Sequence, residues 1–280
     1  MQRTPVFLVL AAFLCAVGFA SAFRLGVRPA SEETPRPFQW PNGRQMALSL
    51  SFDDGRLGQI DTGLALLRRH GVKVTFFLQG NQIENRLDGW RQAVADGHEI
   101  GNHSMTHPCT GNYAFSRQNA LEDYSLSAME KQLNLTDAEI QRLLGVRPQT
   151  FAYPCGQKFV GRGRNTKSYV PLIAKHFLVG RGYLDEAAND PAFCDLAQVL
   201  GTPFDDMDLE QMMKPIQEAA KQGRWVIFVG HEIGERAYQV TDTKALEALC
   251  DYAKDPANGI WLGTVGEIGT YIRDHRTKIR

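Results

Sequence analysis

The chain has 280 residues, 43% of them hydrophobic, with 31 basic and 31 acidic side chains. That apolar share suits one large packed domain and excludes a disordered chain. The even charge balance speaks against nucleic acid or an anionic membrane as partner.

Residues 1–22 stand apart from the rest. Arg3 precedes an almost uncharged run from Val6 to Ala20, which ends in Ala20-Ser21-Ala22, the layout of a secretory signal peptide. The run is shorter than the ~20 residues a spanning helix needs. Cleavage is therefore expected, with a mature start near Phe23, a secreted or periplasmic location and no stable membrane insertion. Four cysteines remain, Cys109, Cys155, Cys194 and Cys250, in a compartment that permits pairing. Three connectivities are open. Pro29, Pro35, Pro37 and Pro41 mark residues 23–44 as a leader or linker, and the domain is expected over residues 45–275.

From Gln45 onward, strand-like and helix-like segments alternate. Apolar, β-rich runs occupy residues 46–52, 72–78, 99–102, 150–153, 176–179, 198–202 and 225–229, with a weaker run at 260–262. Between them, Ile60, Leu64 and Leu67 mark an amphipathic face ending at Gly71. Met129 with Leu133 and Ile140 with Leu144 mark others, and Leu246, Leu249 and Ala253 a late one. Thr136 with Glu139, and Thr264 with Glu267, have capping-box spacing. This alternation predicts a parallel α/β fold, and a barrel rather than an open sheet, because no glycine-rich nucleotide loop follows the first strand.

In such a barrel the working residues gather at the carboxyl ends of strands. Asp53 and Asp54 follow the first strand, His103 and His107 lie just past residues 99–102, and His231 ends the run that begins at Trp225. His103 and His107, four apart, can meet one cation from a helical turn or a compact loop, and a carboxylate from another strand completes a set of two histidines and one acid. That set suits zinc, with cobalt and nickel as alternatives. Only one aspartate is needed as ligand, so the other can take a proton from attacking water, while His231 protonates a leaving group. Each piece alone has a bland reading: Asp-Asp-Gly is most often a solvated turn, and a lone histidine after a strand is usually structural. Their convergence on one face favours hydrolysis. A nucleophilic Cys155 is the weaker alternative, since no thiolate-activating partner is visible beside it.

Taken together, these residues resemble the NodB-homology polysaccharide deacetylases, carbohydrate esterase family four. Ser51-Phe52-Asp53-Asp54-Gly55 is similar to the first family motif, His103 to His107 to the second, and Val229-Gly230-His231 to the last. The segments VTFFLQG from Val74 and WLGTVGEIGTYI from Trp261 are also similar to family segments. The resemblance implies a single-domain, distorted (β/α)7-type barrel. It implies a metal-dependent hydrolase that removes acetyl groups from an acetylated oligo- or polysaccharide, an N-acetyl amino sugar polymer first and an O-acetyl polysaccharide next. Carried over by position, Asp54, His103 and His107 would hold one divalent transition metal, Asp53 would be the base and His231 the acid.

The third motif, Arg-x-Pro-Tyr/Phe-Gly in the family, is matched by Phe151-Ala152-Tyr153-Pro154-Cys155-Gly156. The match implies Cys155 as oxyanion donor through its backbone N–H, with Tyr153 beside it at the substrate. Ala152 stands where the family has arginine. Arg181, between Gly180 and Gly182 after the next strand, is the expected replacement, with Arg162 and Arg164 as competitors and a surface pair with Asp185 or Glu186 as the alternative. The fourth motif is not recognisable in GRGYLDEAAND. Cys109 and Cys155, each within two residues of a matched motif, are expected to form a disulfide at the mouth of the site. A catalytically idle, carbohydrate-binding descendant of the barrel is the second class, supported by the missing arginine.

Overall fold

A computed structural model describes residues 38–276 except Arg236; the expected signal peptide and most of the leader fall outside the described residues. Eight parallel strands follow one another in the main sheet: β1 (Met46–Asp53), β2 (Thr75–Leu78), β3 (Glu99–Asn102), β4 (Thr150–Ala152), β5 (Val179–Arg181), β6 (Thr202–Pro203), β7 (Trp225–Gly230) and β8 (Ile260–Leu262). Their order is β5-β4-β3-β2-β1-β7-β6, and β8 pairs with the first half of β1. Val199, just ahead of β6, donates its N–H to Gly180 O at 2.8 Å and accepts from Gly182 N–H at 2.7 Å. These bonds draw the two edges together and curl the sheet into the distorted barrel expected from the strand–helix alternation.

Among the described residues seven α-helices accompany the strands: α1 (Leu64–His70), α2 (Leu87–Ala95), α3 (Leu126–Leu144), α4 (Val170–His176), α5 (Leu209–Gln222), α6 (Thr243–Lys254) and α7 (Val265–His275). All eight positions of β1 are buried, as expected of a parallel strand covered on both faces. Met46, Leu48, Leu50 and Phe52 pack with Leu67 of α1 and Leu249 of α6. The intervening Ala47 joins Phe77, Val179 and Trp225 on the inner face, where Val265, Ile268 and Ile272 of α7 also pack. Each fully buried Phe or Trp contributes ~1.5–3 kcal/mol relative to exposure.

Several local expectations need correction. Of residues 176–179 only Val179 is strand: His176 ends α4, whose Val170 and Ile173 pack with Phe177 at helical spacing, and β5 begins at Val179. The run at 198–202 is cut short by a 3-10 turn at Leu196–Gln198, whose cap is Asp195. Thr136 lies inside α3 with its hydroxyl donating back to Gln132 O at 2.9 Å, and the helix is capped by Ser125. Thr264 does cap α7, accepting from Glu267 N–H. The start of the packed unit also lies ahead of Gln45. Trp40 is buried and donates its Nε1–H to Gly223 O at 2.9 Å, while Phe38 packs beside it on the inner-face cluster.

Candidate active site

The two-residue period of a strand puts Ala47, Ser49, Ser51 and Asp53 on one face of β1. Ser51 donates to Phe228 O at 2.8 Å and Ser49 accepts from Trp225 Nε1–H at 3.1 Å, so the polar positions between the apolar ones are satisfied. Asp53, the last of the series, is buried at the carboxyl end. Asp54 then adopts a left-handed backbone (φ 75°), followed by Gly55 (φ 71°), and this reversal sends the second carboxylate to different partners.

Asp54 Oδ1 lies 3.6 Å from Nε2 of both His103 and His107, and it accepts from Gln79 Nε2–H at 2.9 Å. Its other oxygen accepts from Arg56 Nε–H at 3.1 Å. His103 Nδ1 is 2.9 Å from Ala152 O. A carbonyl only accepts, so the ring proton sits on Nδ1 and the Nε2 lone pair faces Asp54. The stretch between the histidines is a compact loop: Ser104 N–H donates to Asn102 Oδ1 at 2.7 Å, His107 N–H donates to Ser104 Oγ at 3.1 Å, and Ser104 and His107 have φ of 62° and 51°. The ligand atoms of Asp54, His103 and His107 all lie within 4.8 Å of one another.

Burial by itself would raise the Asp54 pKa, but His103, His107, His231 and Arg56 outweigh it and hold the carboxyl well below the usual carboxylate range. Burial, with His103 beside it, pulls His107 down to about 4. Two imidazoles, one with its Nε2 lone pair turned to Asp54, and one ionised carboxylate are the donor set a divalent transition metal takes, so these residues fit such an ion.

Arg181 reaches Asp53 from the side. The register of β4 against β5 pairs Ala152 with Arg181, and registered neighbours in a parallel sheet point to the same face. The small Ala152 side chain leaves room on that face for a guanidinium from β5. Its Nη2–H donates to Asp53 Oδ1 and its Nη1–H to Gly182 O at 2.8 Å, while the guanidinium lies 4.9 Å from the Phe77 ring centroid. Arg181 is fully buried, so this is a desolvated ion pair in which each charge depends on the other. Arg162 instead pairs with Asp123 at 2.9 Å on the surface, and the Asp185 carboxylate accepts from Gly201 N–H at 3.0 Å.

His231 follows β7 directly. Its Nδ1–H donates to Asp205 Oδ2 at 2.6 Å, and Asp205 Oδ1 accepts from His231 N–H and from the Thr241 hydroxyl, each at 3.0 Å. Burial would lower the His231 pKa, but the Asp205 hydrogen bond and the charges of Asp53, Asp54 and Asp205 raise it above its ordinary value. Gln59 Nε2 donates to the carbonyls of Asp53 and His231, each at 2.6 Å, and thereby ties the ends of β1 and β7 together. Neither Asp205 nor Gln59 stood out in the sequence. A signal for Asp205 was present: Phe204-Asp205-Asp206 repeats Phe52-Asp53-Asp54 after another strand, and the second aspartate is left-handed in both (φ 59° and 75°).

Tyr153 is a correction. It shares the face of Phe151, packs with Tyr169, is wholly buried and donates its hydroxyl to Ala197 O at 2.6 Å, so it faces away from the cavity. Tyr183 lines the cavity instead, its ring 5.3 Å from that of His231. Cys155 lines the cavity with φ 53° and is bonded to Cys109, which leaves it no thiol for nucleophilic attack. The cavity, of about 620 Å³, brings Asp53, Asp54, His103, His107 and His231 together. On its wall Tyr113 and Phe115 stack at 5.4 Å, and Tyr238 lies 81% exposed.

Residues 41–168 match the polysaccharide deacetylase family. A Bacillus subtilis protein named YlxY is 38% identical over 93 residues, covering 33% of this chain and 26% of that one. A peptidoglycan-N-acetylglucosamine deacetylase of Listeria monocytogenes is 28% identical over 138 residues, covering 49% of this chain and 27% of that one. The chain thus spans about a quarter of the length of these relatives. Among solved structures, one from Mycobacterium smegmatis superposes with a TM-score of 0.62 at 17% identity, over 88% of this chain and 98% of that one. A family 4 acetyl xylan esterase from Clostridium thermocellum, in complex with a cobalt ion, gives 0.54 at 22% identity, over 80% and 91%. At such identities these structures share the fold.

Proposed function

We propose, from a chain whose residues 41–168 belong to the polysaccharide deacetylase family, that it hydrolyses acetyl groups from an acetylated carbohydrate, an N-acetyl amino sugar polymer before an O-acetyl polysaccharide. The observation that carries the reading is the Asp54–His103–His107 donor set beside a separate, arginine-held carboxylate, Asp53, in the same cavity as His231. A divalent transition metal, with zinc favoured over cobalt or nickel, would polarise the acyl carbonyl and acidify water there. Asp53 accepts a proton from the attacking water, with Arg181 holding the carboxylate in place. The Cys155 N–H, on a residue lining the cavity, is assigned to the developing oxyanion by the motif match. His231, protonated and fixed by Asp205, delivers a proton to the departing amine, so an amide and water become free amine and acetate. The exposed Tyr113, Phe115 and Tyr238 rings suit the apolar faces of sugar rings along a polymer.

The idle, carbohydrate-binding alternative drew its support from the missing motif-three arginine, and Arg181 removes that support. Secretion or a periplasmic place of action is part of the proposal. It is supported by the Cys109–Cys155 disulfide, and no helix among the described residues is long and apolar enough to cross a membrane. Acetate release should be measured with chitooligosaccharides, peptidoglycan, acetylxylan and acetylated uronic polymers at defined zinc, cobalt and nickel. No release from any of them would sink the reading.

A further inference from the structure

A second group of metal-competent side chains adjoins the first. His107 Nδ1 lies 3.6 Å from Cys109 Sγ, and Cys109 is bonded to Cys155. The ligand atoms of His107, Cys109 and Cys155 lie within 4.8 Å of one another. Sulfur binds metal as thiolate, so the disulfide keeps this second group silent. We propose that the reduced Cys109–Cys155 pair forms, with His107, a sulfur-rich site for a soft divalent metal, which competes with the Asp54–His103 site for the same imidazole.

The competition follows from the ring. A neutral imidazole has one lone pair. Nε2 of His107 faces Asp54 at 3.6 Å, whereas Nδ1 faces the sulfurs. When Nδ1 ligates, the ring proton moves to Nε2, which then donates toward Asp54 and no longer binds metal. Two thiolates and one imidazole with an open fourth position favour zinc or cobalt over harder cations. The disulfide therefore assigns His107 to its carboxylate partners.

The backbone at both cysteines is held by bonds that do not involve the disulfide. Cys109 N–H donates to Ser116 Oγ at 2.8 Å, and Ser116 Oγ donates to Cys109 O at 2.9 Å. The Cys155 turn is closed by Gly156 N–H on Tyr153 O at 2.8 Å. Cys155 lines the cavity, so a small reductant has access. With a phosphine, the S–S bond breaks, two thiols form, and the phosphine becomes its oxide using the oxygen of one water. On metal binding each thiol releases one proton to solvent and forms one metal–sulfur bond. The competition rests on the metal reading given above; the sulfur site itself does not.

Cobalt(II) alone is the probe, added to the full chain carrying Cys15→Ser, Cys194→Ser and Cys250→Ser. The oxidised protein is expected to bind it without thiolate-to-cobalt charge-transfer absorption. After phosphine reduction and removal of excess reductant, that absorption is expected to appear, to persist in His103→Ala, and to vanish in Cys109→Ser. Cobalt binding without the absorption in the reduced protein, or absorption that survives Cys109→Ser, overturns the proposal. Loss of near-ultraviolet circular dichroism on reduction also overturns it, because the disulfide would then be holding the fold. Failure of the deacetylase reading shows separately, as no acetate released by the oxidised, zinc-loaded chain.

Discussion

Replacing Asp205 by asparagine isolates one link in the proposed chemistry. The amide that results keeps an oxygen for the His231 N–H and the Thr241 hydroxyl, which now bond Asp205 Oδ1 at 3.0 Å. It loses the anionic oxygen that holds His231 Nδ1–H at 2.6 Å, in a pair whose side chains are only 9% and 6% exposed. A charge-assisted hydrogen bond of this kind is worth about 1.5–3 kcal/mol, or about one to two pH units at 1.36 kcal/mol each. The sign follows from His231 acting as an acid. It works while protonated, so activity is present below its pKa and lost as pH rises through it, and Asp205 helps raise that pKa above its ordinary value.

The alkaline limb of kcat/KM for acetate release is therefore expected to move about one to two units lower in Asp205→Asn. The plateau is also expected to fall ~10²-fold, because an amide N–H facing Nδ1 favours the wrong tautomer. Stability carries the same sign. A histidine with a raised folded-state pKa contributes stability that is fully present below its unfolded value and is lost as pH rises through the folded value. The midpoint difference between parent and variant in urea should accordingly be larger at pH 5 than at pH 9. An unshifted alkaline limb, with metal content equal to the parent, would refute the assignment of His231 as an acid tuned by Asp205.

Arg181→Ala leaves Asp53 buried without its cation. It is expected to cost ~3–5 kcal/mol of stability by urea unfolding and ~10²-fold or more in rate while metal content stays near one per chain; Ala152→Arg in that background should restore only part. A near-normal rate would remove Arg181 from the mechanism. Asp53→Asn is expected to abolish turnover and keep the metal, and loss of metal with a rate recovered by added zinc would mean the two aspartate roles are reversed. Chelation should abolish acetate release, and zinc should restore it to the parent but not to His103→Ala; elemental analysis of both proteins checks this. Tyr153→Phe removes a buried hydroxyl bonded to Ala197 O, so a loss of ~1 kcal/mol with unchanged kcat and KM is expected, and a changed kcat would return Tyr153 to the site.

The carboxylates, the histidine pair and the strand–helix alternation were legible because each is contiguous in the chain. A strand's period of two and a loop of five residues are local geometry, and local geometry follows from local sequence. The parity of Tyr153 was equally available, since Phe151 and Tyr153 must share a face, but the motif match drew it into the site. The strand placed at 176–179 starts three residues too early, on the end of the Val170–His176 helix, and β6 is shorter than the run at 198–202, because an apolar run of a few residues fits either period until packing chooses.

What only the tertiary structure decided are the partnerships between segments far apart in the chain. That Arg181 sits beside Ala152, and so on Asp53, depends on the register of β4 against β5. That Asp205 meets His231, and Gln59 joins the ends of β1 and β7, depends on how tightly the barrel curls. Sequence alone determined that this chain carries two acids, three histidines and a cysteine pair at the ends of parallel strands. Which of them touch was set by lateral strand register and closure, because those are fixed by the summed packing of the whole core rather than by any stretch a few residues long.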